Sequence, residues 1–168
     1  LAAGPLICAL AAGNRAIIKM SELTPRTSAL FEQLIGKTFT RDHVAVVNGD
    51  AEVGAAFSAL PFDHLLFTGS THVGRHVMRA AADNLTPVTL ELGGKSPAIV
   101  GPNARFGAAV DAIVAGKTLN AGQTCIAPDY VLLPRGMEGA FIERARTRFA
   151  KLYPDLSTNG DYTTIVSP

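Results

Sequence analysis

Apolar positions along the chain alternate between short β-rich runs and stripes with helical spacing. Ala9 to Ala12 reads as the end of a helix, with Gly13 at the C′ position, where left-handed backbone suits glycine. Ala16-Ile17-Ile18-Lys19 predicts a buried strand. Thr24 and Pro25 form an N-cap and a first-turn proline; Leu30, Phe31, Leu34 and Ile35 supply the apolar stripe of the helix that follows, and Gly36 closes it. Val44 to Val47 predicts a second strand, and Asn48-Gly49-Asp50 a turn that caps a helix carrying Val53, Ala56, Phe57 and Leu60, stopped by Pro61.

His64 to Thr68 predicts a third strand, and Thr71 to Leu85 a helix with Val73, Val77, Ala80 and Ala81 on its inner face. His72, His76, Arg79 and Asp83 fall on another face of that helix, the pattern of a solvated stripe. A fourth strand, Val88 to Leu92, ends at Gly93-Gly94. Up to that point the order is β-α-β-α-β-α-β, which implies a parallel sheet with covering helices. Beyond Pro97 come a short strand (Ala98 to Val100), a helix stripe (Phe106, Val110, Ile113, Val114), and a loop holding Cys125. A strand from Tyr130 to Leu133 and a helix marked by Phe141, Ala145, Phe149 and Leu152 follow. The glycine pair near residue 93 marks the expected boundary, giving domains 1–92 and 93–168.

Composition narrows the classes. The 168 residues suffice for about one domain, and 48% hydrophobic against 17% charged residues supports a sizeable core. A net charge of +1 gives no electrostatic reason to expect nucleic acid or an anionic membrane as partner. Two cysteines, Cys8 and Cys125, cannot make a disulfide framework and suit a reducing compartment; a cytoplasmic location is expected. The opening apolar stretch, Leu1 to Ala12, is broken by Gly4 and Pro5, lacks a basic flank and is shorter than the ~20 residues that span a bilayer. It reads as a buried helix cut at its start, and the chain as a segment of a longer one.

Ligands of open parallel sheets bind beyond the carboxyl ends of the strands. Three segments stand there: Lys19 to Glu22, Gly69 to Gly74, and Glu91 to Lys95. In Thr68-Gly69-Ser70-Thr71-His72-Val73-Gly74, glycines would let a ligand approach the backbone, and the helix start offers free N–H groups to a phosphate. The spacing is G-x-x-x-x-G, which departs from the dinucleotide fingerprint, and Arg75-His76 departs from a P-loop. A plain strand-to-helix turn therefore stays open beside phosphate binding.

Glu91, in the apolar run Thr89-Leu90-Glu91-Leu92, is either an outward strand residue, a partner of Lys95, or a general base. Cys125 sits in a small polar loop, Asn120-Ala121-Gly122-Gln123-Thr124-Cys125-Ile126-Ala127-Pro128, where either a packed thiol or a nucleophile fits. Cys8, in an apolar helix, reads as a buried hydrophobe. His72 and His76 show no third ligand nearby, so no metal is expected, and His43 and His64 show no partner pattern. A Cys-His hydrolase using Cys125 stays open, because such pairs meet only in the fold.

In order, these segments resemble the aldehyde dehydrogenase superfamily. The residues that carry it are Ala12-Gly13-Asn14-Arg15-Ala16-Ile17-Ile18-Lys19 with Ser21-Glu22, Phe67-Thr68-Gly69-Ser70-Thr71 with Val73-Gly74, Leu90-Glu91-Leu92-Gly93-Gly94-Lys95-Ser96-Pro97, and Asn120-Ala121-Gly122-Gln123-Thr124-Cys125. The ending, Tyr153-Pro154 through Asp161-Tyr162-Thr163, is similar to the class-3-like branch that includes coniferyl aldehyde dehydrogenases. The resemblance implies a Rossmann-like NAD-binding domain, incomplete at its start, followed by the start of a second α/β catalytic domain. It implies Cys125 as the nucleophile that forms a thiohemiacetal and then a thioester, and Glu91 as the base that activates the releasing water. It implies Lys19 and Glu22 at the adenosine ribose, and Gly69, Ser70, Gly74 and Leu92 at the rest of the cofactor. A carboxylate at Glu22 would repel a 2′-phosphate, which favours NAD over NADP.

The family's upstream asparagine donor to the oxyanion, its downstream Glu-Phe-Gly-Pro segment and its oligomerisation arms have no counterpart in these residues, and Met20 stands where the family usually has proline. Loss of one oxyanion donor costs ~10²–10³ in rate, so the isolated segment is expected to be inactive and the full-length parent a homo-oligomeric enzyme acting on a small aldehyde. The alternatives are a nucleotide-binding remnant without turnover, and an enzyme that passes the acyl group to coenzyme A.

Overall fold

A computed structural model describes residues 1–166. The chain divides into two compact units, one from Leu1 to Leu92 and one from Gly93 onward.

The first unit holds α1 (Ala3–Ala11), β1 (Ala16–Lys19), α2 (Pro25–Thr38), β2 (Val44–Val47), α3 (Ala51–Ser58), β3 (Leu65–Gly69), α4 (Thr71–Ala82) and β4 (Val88–Leu92). Every predicted strand is present, and the unit is α/β with parallel pairing. Its strands pair as β1 with β2 and β3 with β4, from Ala16↔Val44 to Lys19↔Val47 and from Leu65↔Val88 to Gly69↔Leu92. Among the described residues β2 and β3 share no ladder, so the expected single sheet is two parallel pairs. That pairing is the one strands 2–3 and 4–5 have in a doubly wound sheet of order 3-2-1-4-5, where strands 3 and 4 are not neighbours.

Local chemistry explains most boundaries. Asp50 caps α3, its Oδ1 accepting from the N–H of Glu52 at 3.0 Å and of Val53 at 3.1 Å. Pro25 opens α2, although Thr24 makes no side-chain cap bond. Gly13 takes a φ of 80° after α1, as a C′ glycine should. Several expectations of burial and boundary fail. β1 is not a buried strand, since Ile17 is 49% exposed, and Val73 is not on the covered face of α4, being 44% exposed; each stands on the side of its element that no neighbour covers. Gly36 does not close α2, which continues to Thr38, whose Oγ1 donates to the Leu34 carbonyl at 2.9 Å. The fourth helix stops at Ala82 rather than Leu85, because Leu85 adopts a left-handed φ of 55° that no helix continues through. The first helix is not buried: only Leu6 is covered, while Ile7 and Cys8 are exposed. An all-apolar sequence cannot report which of its faces is covered.

Two apolar clusters hold this unit. Leu6, Ile35 and Val44 meet under Phe31 and Phe39, and Leu65, Val77 and Ala81 meet under Phe57 and Phe67. The stripe His72, His76, Arg79 and Asp83 is solvent-exposed, as its spacing predicts.

The second unit holds β5 (Ser96–Ile99), α5 (Phe106–Thr118), a tight turn (Leu119–Gly122), β6 (Pro128–Leu132) and α6 (Glu138–Leu152). Strands β5 and β6 are parallel. β5 begins before Pro97, which lacks an N–H for the ladder; a register shift between Ser96 and Pro97 accommodates it. Val110, fully buried, and Val114 anchor α5. Arg144 of α6 grips α5, donating to the Gly107 carbonyl at 2.9 Å and to both carboxylate oxygens of Asp111 at 3.1 and 2.7 Å. No helix among the described residues is long and apolar enough to cross a membrane.

Candidate functional site

The carboxyl ends of β1 and β2 in the first unit frame a cleft of about 280 Å³ lined by Ser21, Glu22, Pro25, Ser28, Asn48 and Gly49. Its floor follows from a buried serine. Ser28 Oγ donates to the carbonyls of Ser21 at 3.0 Å and Thr24 at 2.9 Å, which draws the turn after β1 onto the first turn of α2. At the rim, Lys19 Nζ donates to Glu22 Oε2 at 2.8 Å. This bond holds the Glu22 carboxyl below its ordinary value, so it stays ionised to lower pH than a free glutamate. A carboxylate and an ammonium side by side form an acceptor and a donor for sugar hydroxyls. Ser28 was absent from the sequence reading; a serine within the first turn of a helix is its only local signal.

Where β3 passes into α4, Ser70 is the N-cap, its Oγ accepting from the Val73 N–H at 3.2 Å. The N–H groups of Thr71 and His72 are left without helical partners, as in any first turn. Gly69 and Gly74 owe their identity to packing as well as to any ligand. A Cβ on Gly69 would lie 2.5 Å from Phe67 Cζ, and one on Gly74 would lie 2.9 Å from Leu92 Cδ2. Thus Leu92 packs against the first turn of α4 and brings the end of β4 to this loop. Glu91, one residue earlier, pairs in register with Thr68. It is exposed, and among the described residues it makes no ion pair; Lys95 pairs instead with Asp129 at 3.4 Å. The outward strand residue and the base remain compatible with that placement.

The four histidines lie in the first unit and have structural occupations. His43 meets Phe39 edge to face, His64 shares a 3.0 Å hydrogen bond with Thr89, and His72 meets His76 edge to face. No group of three metal-ligating side chains occurs among the described residues.

In the second unit, Cys125 is a free, exposed cysteine in the turn between α5 and β6. Its carbonyl is held: Ser96 Oγ donates to it at 3.4 Å, and a Cβ on Gly94 would stand 3.0 Å from it. Gly94 and Ser96 of the Gly-Lys-Ser run are therefore explained by the cysteine loop rather than by a phosphate. The Cys125 N–H has no hydrogen-bond partner among the described residues.

The approach to Cys125 is unusual. Asn120 (φ 51°), Ala121 (φ 53°) and Gly122 (φ 78°) are all left-handed. Asparagine and glycine tolerate this region; alanine pays ~1–2 kcal/mol. A Cβ on Gly122 would also lie 3.2 Å from the Lys117 carbonyl, a tight contact, so both backbone and packing favour glycine there. Gln123 braces the run. Its Nε2 donates to the carbonyls of Asn120 at 3.0 Å and Thr164 at 3.1 Å, and its Oε1 accepts from the Val166 N–H at 2.8 Å. Sequence reading missed Gln123 as a brace, because its partners lie 41 and 43 residues away.

Comparison with known proteins now fits these observations. All of residues 1–168 match the model of the aldehyde dehydrogenase family, and the chain belongs to that family. It is 57% identical over 167 residues to a coniferyl aldehyde dehydrogenase from a Pseudomonas species, covering 99% of this chain and 35% of that protein. It superposes on a substrate-bound Staphylococcus aureus AldH with a TM-score of 0.91 at 44% identity, over 97% of this chain and 36% of that one. It also matches a Pseudomonas syringae aldehyde dehydrogenase C variant, in complex with NAD+ and octanal, with a TM-score of 0.78 at 38% identity, over 83% and 30% of the two chains. The chain spans about a third of the length of the curated relatives it matches.

Proposed function

We propose that this chain is part of a longer NAD-dependent aldehyde dehydrogenase that oxidises an aromatic, coniferyl-type aldehyde to its acid through a covalent intermediate on Cys125. The observation that carries the reading is the state of Cys125: an exposed thiol on a left-handed turn, its carbonyl tied back and its N–H open. Cofactor and substrate class draw support from the relatives, one a coniferyl aldehyde dehydrogenase and one a complex with NAD+.

The residues fit the cofactor. Lys19 and Glu22 would take the adenosine-ribose hydroxyls at the cleft after β1, while the first turn of α4, with Gly69, Ser70, Gly74 and Leu92, would receive the pyrophosphate. A ribose 2′-phosphate would meet the Glu22 carboxylate, which stays ionised through the neutral range, so NAD is preferred over NADP. The bound nicotinamide supplies the acceptor for the hydride that leaves the substrate carbon.

Cys125 as thiolate adds to the aldehyde carbon, forming a C–S bond and moving the carbonyl π pair onto oxygen. The Cys125 N–H donates to that oxyanion. After oxidation the carbon is held as a thioester. Glu91 then takes a proton from water, whose oxygen attacks the thioester carbon; the C–S bond breaks and the acid leaves. A base that activates water favours hydrolysis over transfer to coenzyme A.

Full-length protein mixed with NAD and coniferaldehyde should show rising absorbance of reduced nicotinamide. Cys125→Ala should abolish it. Failure to form reduced nicotinamide from the aldehyde, together with Cys125-dependent cleavage of an ester without any nicotinamide, would assign the thiol to a hydrolase instead, and NAD binding without turnover would leave only the nucleotide-binding remnant.

A further inference from the structure

We infer that Gln123 is a positioning residue for the Cys125 thiol: its side-chain amide locks the left-handed turn that precedes the cysteine and ties that turn to residues 164–166. The inference rests on the reading of Cys125 as nucleophile and assigns the control of that nucleophile's placement.

The geometry uses both ends of the amide. Nε2 reaches one carbonyl inside the turn, at Asn120, and one outside it, at Thr164, while Oε1 takes the N–H of Val166. Two further bonds close the same turn: Asn120 Nδ2 donates to the Gln123 carbonyl at 3.2 Å, and the Gln123 N–H donates to the Asn120 carbonyl at 3.0 Å. A left-handed run containing alanine relaxes unless its surroundings over-determine it. Here the Gln123 side chain, two residues ahead of the sulfur, adds to the turn's own bonds and is what ties it to residues 164–166.

The loop is fixed on its other flanks by separate means. Before the turn, the buried Thr118 ends α5, donating to the Val114 carbonyl at 2.9 Å and receiving the Tyr153 hydroxyl at 3.4 Å. After it, the Cys125 carbonyl takes Ser96 Oγ, and the Ala127 N–H closes a turn onto Thr124 at 3.1 Å. Gln123 lies in the chain between these anchors and bonds to neither, its partners being residues 120, 164 and 166. Removing its amide leaves the stretch from Leu119 to Thr124 closed only by the two remaining bonds between residues 120 and 123 and cuts its tie to residues 164–166, so the thiol stays present and exposed but its position spreads. Such a defect lowers the fraction of molecules poised for attack and leaves the cofactor residues of the first unit unchanged.

The test uses the full-length protein and Gln123→Met, which keeps the side-chain length and removes all three polar bonds. Amide hydrogen exchange should find Val166 protected in the wild type and deprotected about two- to twelvefold in Gln123→Met, as loss of one net hydrogen bond of this kind implies. Turnover should fall about tenfold or more with KM for NAD within about twofold. Single-hit alkylation of Cys125 by iodoacetamide, without cofactor, should still go to completion.

A Val166 amide exchanging as fast in the wild type as in an unstructured peptide would overturn the inference, even if the variant fails to fold. So would Gln123→Met with wild-type kcat. If Cys125→Ala itself turns over, the nucleophile assignment fails instead, while the exchange result still reports on the clamp.

Discussion

Substituting alanine at Gly69 and at Gly74 separates packing from ligand approach as the reason for glycine in the turn between β3 and α4. On Gly69 the new methyl would meet three ring atoms of Phe67, at 2.5, 3.0 and 3.3 Å. That ring packs against Leu65, Val77 and Ala81, so it cannot swing away without disturbing the cluster. Overpacking of this kind costs ~1–3 kcal/mol. On Gly74 one atom is in serious conflict, Leu92 Cδ2 at 2.9 Å, and it ends a side chain with rotamers to spare. Turning Leu92 off its preferred rotamer costs ~0.5–1.5 kcal/mol, and alanine in place of glycine inside α4 returns ~0.8–1.0 kcal/mol. The two nearly cancel. Urea unfolding of the full-length protein should therefore show Gly69→Ala clearly destabilised and Gly74→Ala within ~1 kcal/mol of wild type. Calorimetry with NAD should show weaker binding in both, because each displaces a group at the cofactor turn. Unaltered stability in Gly69→Ala would refute the packing argument and leave ligand approach as the sole reason for that glycine.

Two further substitutions test other links. Lys19→Met should raise the Glu22 carboxyl toward the usual glutamate range, read by NMR titration of labelled carboxyl carbons; an unmoved titration would deny the bond its role. Because the folded value lies below the unfolded one, the pair's stabilisation is present above the unfolded value and disappears as pH falls through the folded one; in the variant that acid-side dependence should shrink. Val110→Ala removes two buried methyl groups from the fully covered centre of α5, a loss of ~1–3 kcal/mol in chemical denaturation, and a change below ~0.5 kcal/mol would mean the second unit does not rely on that contact.

Strand content and parallel pairing were legible because β-branched runs such as Val44 to Val47 sit between Gly, Pro and Asn turns, and because helices separate them. Asp50 as a cap and the exposed stripe from His72 to Asp83 were legible for the same local reasons. Three-dimensional facts were not. Leu6 is covered and Cys8 exposed in one uniformly apolar helix. Glycines 69 and 74 suggested a ligand, yet each also faces a side chain, Phe67 or Leu92, that sequence spacing cannot place against it. The brace from Gln123 joins residues some forty positions apart, as does the hold of Ser96 on the Cys125 carbonyl over 29 positions. Long-range pairs of polar side chain and backbone leave no periodic trace in a chain.

The most direct test is the mass of the intact full-length Glu91→Gln protein, quenched in acid soon after mixing with NAD and coniferaldehyde. With the water-activating carboxylate gone, the acyl group should accumulate as a single adduct, mapped by peptide digestion to Cys125. An unmodified Cys125 while product still forms, or an adduct on another residue, would contradict the account.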